Sequence, residues 1–132
     1  MGVSLDSQDT SGMTPLMKAA TNCNADNVNI LRSGANPKTK DREGRSALHY
    51  AAEGGCTESA ATLVMAGVGV DEKDRRGCSP AFIAVANNKP RVLQLLVENG
   101  ADLTLRDCMG KGMLHRAALC GDIEVLNVLL DA

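Results

Sequence analysis

The two histidines and five cysteines of this chain are the first residues to consider as bases, nucleophiles or metal ligands. The histidines are His49 and His115, and no serine or cysteine stands at a spacing typical of nucleophilic catalysis beside either of them. The glycine pair in Gly67-Val68-Gly69 lacks the rest of a phosphate-binding fingerprint. We therefore predict a protein that is not an enzyme and that needs no cofactor.

The cysteines are odd in number and widely spaced, with no Cys-x-x-Cys pair. This pattern fits neither a secreted disulfide framework nor a zinc site, because only two histidines are available as further ligands. We expect an intracellular protein of the cytoplasm or nucleus, with reduced thiols and no bound metal. The five positions are Cys23, Cys56, Cys78, Cys108 and Cys120.

Composition excludes several classes of protein. The 132 residues are 44% hydrophobic and 23% charged, with a formal net charge of -2, which is typical of a folded chain. Tyr50 and Phe82 are the only aromatic residues, so a platform for stacking nucleic-acid bases is excluded and the core must consist of Ala, Leu, Val and Met. No apolar stretch approaches the roughly 20 residues of a membrane helix. We expect neither a nucleic-acid partner nor membrane insertion.

The chain repeats itself at intervals of about 33 residues. An Asp-x-x-Gly motif recurs through the sequence, and a second series of glycines recurs with the same period. The first unit is one residue shorter than the others, between its two glycines. The Asp-x-x-Gly motifs begin at Asp9, Asp41, Asp74 and Asp107, and the second glycines are Gly34, Gly67 and Gly100.

Each unit opens a helix with a similar heptapeptide. The four are Thr14-Pro15-Leu16-Met17-Lys18-Ala19-Ala20, Ser46-Ala47-Leu48-His49-Tyr50-Ala51-Ala52, Ser79-Pro80-Ala81-Phe82-Ile83-Ala84-Val85 and Gly112-Met113-Leu114-His115-Arg116-Ala117-Ala118. They resemble the Thr-Pro-Leu-His-x-Ala-Ala signature of ankyrin repeats over residues 9–132. The resemblance implies an all-α repeat solenoid of stacked helix-turn-helix units with β-hairpin fingers. It divides the chain into an N-terminal segment 1–8, repeats 9–40, 41–73 and 74–106, and a truncated repeat 107–132.

The residues themselves favour the same architecture. Hydroxyls at Thr14, Ser46 and Ser79 are suited to cap a helix start, and Pro15 and Pro80 fit the first helical position. A second apolar pattern with helical spacing follows in each unit, and it ends at a glycine suited to a left-handed cap. Small residues such as Ala51 and Ala52 let neighbouring units approach closely, so stability is shared between units.

Two departures from the pattern predict weak places. The second helix of the first unit is short and contains Asn27 and Asn29, so we expect it to fray. The last helix carries Ile123, Leu126 and Leu129 to the end of the sequence, where a terminal repeat would present a polar face. We therefore expect this chain to be a fragment of a longer repeat protein.

The resemblance also assigns roles to the histidines and to the surface. His49 and His115 occupy the signature histidine, whose imidazole is expected to form hydrogen bonds within the repeat. A partner is expected on the fingers and on the ends of the inner helices. The partner-binding residues predicted in this way are Lys40, Arg42, Glu43, Arg45, Glu53, Lys73, Arg75, Arg76, Cys78, Asn87, Arg106, Met109, Lys111 and Leu119.

Charge and thiols in the fingers each have two interpretations. Nine of the 14 basic residues lie in the fingers, where they could bind an acidic or phosphorylated segment, or be neutralised locally by interleaved acids. Cys78 and Cys108 lie in adjacent fingers as surface thiols, or as a redox-sensitive pair or weak metal contact. The acids are Asp41, Glu43, Asp71, Glu72, Asp74 and Asp107.

The sequence thus predicts a monomeric, non-catalytic scaffold or adaptor that binds another protein or peptide on its concave face and fingers. The alternative is an array that regulates or supports a larger signalling, channel or ligase protein from within the same polypeptide. The full-length sequence, with any further repeats or domains after residue 132, would distinguish these two functions.

Overall fold

A computed structural model describes residues 7–23, 29–30, 33–120 and 122–131 of the chain, with only the backbone of Cys120. Seven helices lie within these ranges. Four are inner helices that open a unit, and three are outer helices that close one. The inner helices are α1 (Pro15–Thr21), α2 (Ala47–Gly54), α4 (Pro80–Ala86) and α6 (Met113–Cys120), and the outer helices are α3 (Thr57–Met65), α5 (Pro90–Glu98) and α7 (Ile123–Asp131).

Helices of one kind stack on one another along the chain. The inner helices pack in the order α1, α2, α4 and α6, while α3, α5 and α7 pack beside them in a second layer. Ala51, Ala52 and Ala84 are completely buried between successive inner helices, where larger side chains would hold the helices apart. The fold is the all-helical repeat solenoid that the sequence predicts.

The inner helices begin where the hydroxyl residues predict. The Thr14 hydroxyl accepts a hydrogen bond of 3.2 Å from the Met17 amide, and the Ser79 hydroxyl accepts one of 3.3 Å from the Phe82 amide. Pro15 follows the first cap and Pro80 the second, at positions whose missing N–H needs no partner. These short helices therefore start at fixed residues.

Two glycines show why the turns of the array need this residue. Gly67 follows α3 with φ of 93°, a left-handed conformation that side chains resist. Gly54 ends α2 against the first unit, where an added Cβ would lie only 2.6 Å from the Thr21 carbonyl oxygen. The turn between α2 and α3 is consequently pressed onto the turn that follows α1.

The fingers are tight turns in this structure, and the predicted β-hairpins are wrong in this detail. Two backbone hydrogen bonds close each turn. In the second finger the Asp41 amide donates to the Arg45 carbonyl at 2.9 Å and the Gly44 amide donates to the Asp41 carbonyl at 3.1 Å. Within the described ranges the only β-type pairing is an isolated bridge between Arg106 and Gly112. The residues on the two sides of each turn do not continue as paired strands, because a helix begins shortly after the turn.

The core is distributed between the layers, with no single centre. Leu48, Leu63, Leu93 and Leu96 are completely buried, and the apolar cluster to which they belong runs from Leu16 in the first unit to Val125 in the last. The predicted fraying of the first outer helix falls on residues 24–28 and 31–32, which lie outside the described residues.

Candidate protein-interaction surface

Neighbouring fingers are joined to one another by backbone hydrogen bonds. The Arg42 amide donates to the Ser11 carbonyl at 3.1 Å, and the Arg75 amide donates to the Glu43 carbonyl at 2.9 Å. The Cys108 amide donates to the Arg76 carbonyl at 2.8 Å. The four turns at residues 9–13, 41–45, 74–78 and 107–111 therefore form one continuous edge, which we call the finger row.

The aspartates that open the turns hold the backbone of their own finger. Asp41 Oδ1 accepts hydrogen bonds from the Glu43 and Arg45 amides, both within 2.9 Å. Asp74 does the same for the amides of Arg76 and Cys78. Because these carboxylates are buried and engaged with amides, they organise the turn and present little charge to a partner.

Arg45 is the centre of an internal network between the second and third units. Its Nη1 lies 3.0 Å from Glu53 Oε2, its Nε lies 3.6 Å from Asp74 Oδ2, and its guanidinium stacks over the Tyr50 ring at 5.3 Å. The Tyr50 hydroxyl donates to Asp41, and burial together with this carboxylate raises the pKa of Tyr50 to about 12. Arg45 and Glu53, both predicted to bind a partner, bind each other.

A second ion pair joins adjacent finger stems. Lys40 Nζ lies 2.7 Å from Glu72 Oε2, and this hydrogen bond from Lys40 lowers the pKa of Glu72. Both side chains are more than two-fifths exposed, at 42% and 45%, so the pair contributes at most about 1 kcal/mol. Nearby carboxylates therefore neutralise the charges of Lys40 and Arg45.

Most of the other predicted finger cations form no ion pair with a described residue. Arg42, Arg75 and Arg76 are exposed, and none of them forms an ion pair with any other residue that the structure describes. The same holds for Lys73 and Lys111. The fingers thus carry exposed cations that form no ion pair with a described residue, beside the exposed Glu43.

A groove of about 330 Å³ lies between the third and fourth fingers and their inner helices. Five predicted partner-binding residues, Arg45 among them, meet there, together with Arg116, which the sequence prediction missed. Arg116 occupies the inner-helix position of Tyr50 and Ile83, and that repeat position is the signal that would have found it. Among the lining residues are Arg76, Cys78, Asn87, Met109 and Arg116.

The remaining predicted residues lie at the edges of this surface. Arg106 Nη1 donates to the Gly110 carbonyl at 3.1 Å within its own finger. Leu119 is 65% exposed near the end of α6 and does not line the groove.

The thiols Cys78 and Cys108 both line the groove, without a bond between them. Burial, with the nearby charge of Asp74, raises the pKa of Cys78 to about 11, so this thiol stays protonated at neutral pH. Among the residues that the structure describes, no three His, Cys, Asp or Glu side chains are grouped as metal ligands would be.

The two histidines have different surroundings. His49 Nδ1 accepts a hydrogen bond of 3.2 Å from the Ser46 amide, and burial lowers the pKa of this imidazole. Its Nε2 lies 2.9 Å from the Cys78 carbonyl of the next finger, so His49 has the structural role predicted for it. His115 is exposed, because the carbonyl that faces His49 comes from a following finger and no described residue supplies one to His115.

Cys23 and Cys56 form a disulfide, with their Cα atoms 5.0 Å apart. The prediction that the cysteines stay unpaired is wrong for these two. Cys23 has a positive φ of 54° and occupies the turn position that Gly55 and Asn88 occupy in later units. The bond joins the turn that follows α1 to the turn between α2 and α3.

Comparison with known families agrees with the period, the helix pairs and the stacked turns. A family model for ankyrin repeats matches residues 1–74 and 62–132. The chain belongs to the ankyrin repeat family. Ankyrin repeats are generally protein-interaction modules.

Several curated relatives contain similar ankyrin repeats. The chain is 33% identical to mouse B-cell lymphoma 3 protein homolog over 94 residues, which is 70% of this chain and 21% of the relative. It is 34% identical to human SH3 and multiple ankyrin repeat domains protein 1 over 121 residues, 88% of this chain and 6% of the relative. It is 32% identical to E3 ubiquitin-protein ligase KEG of Arabidopsis thaliana over 90 residues, 67% of this chain and 6% of the relative.

The matched ankyrin repeats are thus small parts of much larger proteins, since this chain spans about a fifth of one relative and far less of the others. Within the described ranges, none of the ankyrin helices has the length and apolar content needed to cross a membrane.

Proposed function

We propose that this ankyrin array is a non-catalytic, monomeric interaction module that binds an acidic segment of another protein along its finger row. The observation that carries the proposal is the set of exposed arginines, Arg42, Arg75 and Arg76, without ion pairs among the described residues. Their backbones are fixed by the hydrogen bonds between fingers, so their spacing is set before a partner arrives. Preorganisation of this kind lowers the entropic cost of binding.

Arginine suits this role better than lysine. Its planar guanidinium binds carboxylate or phosphate groups through two parallel hydrogen bonds. Arg76 faces the groove, where Met109 and Phe82 offer apolar contact beside the charge. An acidic segment with one apolar side chain would therefore find both kinds of contact within the third and fourth fingers.

Charge reversal at one finger tip tests the proposal. Labelled peptides rich in Glu, and matched peptides carrying phosphoserine, would be titrated against the wild-type chain and Arg75→Glu. We expect Arg75→Glu to weaken binding by about tenfold or more, the loss typical of an interface anchor. The matched control is Arg91→Glu on the outer helix α5, which changes net charge equally away from the finger row and should leave affinity within about twofold.

Three results would contradict the proposal: no binding of either acidic peptide, equal losses in the two variants, or unchanged affinity in Arg75→Glu. Repeating the titration at higher salt adds an internal check, since affinity that depends on these charges must fall as ionic strength rises.

The size of the relatives favours a second function. Because the matched repeats occupy 6% to 21% of those proteins, this array is also suited to bind and regulate another domain of a larger polypeptide. An intracellular site, in the cytoplasm or nucleus, is proposed for either function. In a full-length protein that carries the array, Arg75→Glu would then change the activity of the attached domain without an added partner, and an unaltered activity would favour the adaptor.

A further inference from the structure

We propose that Cys23 and Cys56 form a thiol–disulfide exchange site on the first two repeats, at which Cys23 takes a small thiol of the glutathione class. The site lies on the inter-helix turns, away from the finger row, and does not depend on the function proposed above. Its two sulfur atoms differ in exposure and in electrostatic surroundings, and those differences assign a separate role to each.

The backbones of the two turns are in close contact beside the bond. Gly54 lies so close to Thr21 that a Cβ would be 2.6 Å from the Thr21 carbonyl oxygen. Cys56 Sγ lies 3.8 Å from that same carbonyl, and Cys23 Sγ lies 3.8 Å from the Gly54 carbonyl. Each sulfur thus lies near a carbonyl oxygen of the opposite turn, to which its thiol can donate after reduction.

Cys23 is the sulfur open to attack. Its side chain is exposed, whereas Cys56 is 4% exposed beneath the turn. Cys56 is also the N-cap residue of the nine-residue helix α3. A helix N-terminus favours a thiolate. Cys56 is therefore placed as the leaving group and Cys23 as the acceptor of the incoming thiol.

The exchange balances without any further reactant. A glutathione thiolate attacks Cys23 Sγ, the Cys23–Cys56 bond breaks, and its electron pair leaves on Cys56 as a thiolate that a solvent proton neutralises. A second glutathione thiolate attacks the glutathione sulfur of the mixed disulfide, which releases Cys23 as a thiolate and forms glutathione disulfide. Two glutathione thiols are oxidised and one protein disulfide is reduced. Glutathione disulfide drives the reverse reaction.

Exchange at this site controls how firmly the first repeat is held. The first two repeats are already joined by the packing of α1 on α2 and by the hydrogen bond from the Arg42 amide to the Ser11 carbonyl. The disulfide adds a covalent link between residues 33 apart in the sequence. Closing a loop of this length restricts the separated state of the repeat. We expect amides of α1 to exchange with solvent on the order of 100-fold faster after reduction, while amides of α4 and α5 change little.

The test equilibrates the whole chain in buffers of reduced and oxidised glutathione, followed by rapid alkylation and peptide mass mapping. Cys23 and Cys56 should convert together, with a ratio of dithiol to disulfide that is proportional to the square of the reduced glutathione concentration divided by the oxidised glutathione concentration. Cys56→Ser should accumulate the mixed disulfide at Cys23, and Cys23→Ser should form one at Cys56 at least tenfold more slowly. Cys108→Ser is the matched control and should leave both rates unchanged.

Three results would overturn the proposal: independent conversion of the two cysteines, equal rates of mixed-disulfide formation in the two single variants, or hydrogen exchange of the α1 amides at the same rate in the oxidised and reduced chain. Should either serine variant fail to fold, partial reduction of the wild-type chain gives the same answer, because the first mixed disulfide must map to Cys23 and not to Cys56.

Discussion

The imidazole of His49 donates through Nε2 to the Cys78 carbonyl at 2.9 Å, which ties the second inner helix to the finger of the third unit. The proton is on Nε2 because Nδ1 accepts from the Ser46 amide. Both ring nitrogens are therefore occupied in the neutral form. A second proton on this ring would break the bond to Ser46 inside a buried site.

This arrangement predicts acid sensitivity. Burial lowers the pKa of folded His49 below its usual 6.5, so the unfolded chain binds more protons as pH falls. The contribution of His49 to the free energy of unfolding should be constant above its unfolded pKa of about 6.5 and should decline below that pH by up to about 1.4 kcal/mol per pH unit. Urea denaturation between pH 7 and pH 5 measures it. His49→Gln should flatten this slope, whereas the exposed His115→Gln should retain it, and equal slopes in both variants would refute the assignment.

Tyr50 should ionise later than a free tyrosine. Its pKa is raised to about 12 by burial and by Asp41, so the neutral phenol stabilises the fold at every pH below the unfolded value of 10, and this contribution is lost as pH rises through 12. Tyr50 is the only tyrosine and the chain has no tryptophan, so ultraviolet absorbance reads it directly. A midpoint near pH 10 in the folded protein would contradict the hydrogen bond to Asp41.

Removal of that hydroxyl should also weaken the second unit. Tyr50→Phe leaves the ring beneath Arg45 but removes the donor to Asp41, and a hydrogen bond to a charged group contributes roughly 1.5–3 kcal/mol. We expect a loss of about 2 kcal/mol in the free energy of unfolding, measured in urea at neutral pH. A loss below about 0.5 kcal/mol would mean that water replaces the phenol at Asp41.

Gly54 should tolerate no side chain. An alanine Cβ would approach the Thr21 carbonyl oxygen to 2.6 Å, and the contact is with backbone, which cannot rotate away. We expect Gly54→Ala to lower the free energy of unfolding by about 2 kcal/mol, within the range for overpacking. Gly112→Ala is the control because no atom lies within 4 Å of its added Cβ. Similar thermal stabilities of the two variants would rule out the close approach of the turns.

The cap of α4 gives a smaller effect. Ser79→Ala removes the acceptor for the Phe82 amide and should cost about 1 kcal/mol. Thr62→Ala within α3 is the comparison, because its hydroxyl only donates back to the Glu58 carbonyl at 2.9 Å and alanine is the better helix former. We expect that variant to unfold within about 0.5 kcal/mol of wild type. A cap variant as stable as Thr62→Ala would show that water satisfies the Phe82 amide.

The sequence predicts what depends on local chemistry. Helix starts follow from hydroxyls and prolines such as Thr14 and Pro15, and the stacking follows from the 33-residue period. The Cys23–Cys56 bond could not be predicted in the same way. These cysteines are 33 apart, but the first unit is one residue short, so Cys23 matches Gly55 and the two lie at unlike positions. Only the packed turns bring them together.

The sequence predicts the residues of the candidate surface but not the ion pairs that some of them form. The fingers and their positive charge follow from the Asp-x-x-Gly motifs. Which cations are neutralised depends on contacts between units, such as Arg45 with Asp74 and Lys40 with Glu72, and these involve residues about 30 positions apart. Spacing alone gives such pairs no preference over the other charges in the row.

Within the fingers, the side chains that stabilise the turns differ from the side chains left free at the surface, and this has an evolutionary consequence. Asp41, Asp74 and Arg45 hold the turns and join the units, so substitutions there would damage the fold before they altered recognition. Arg42 and Arg75 contribute their backbone amides to the finger row and leave their side chains free. If these two side chains bind the partner as proposed, selection can replace them and change the choice of partner while the scaffold keeps its stability.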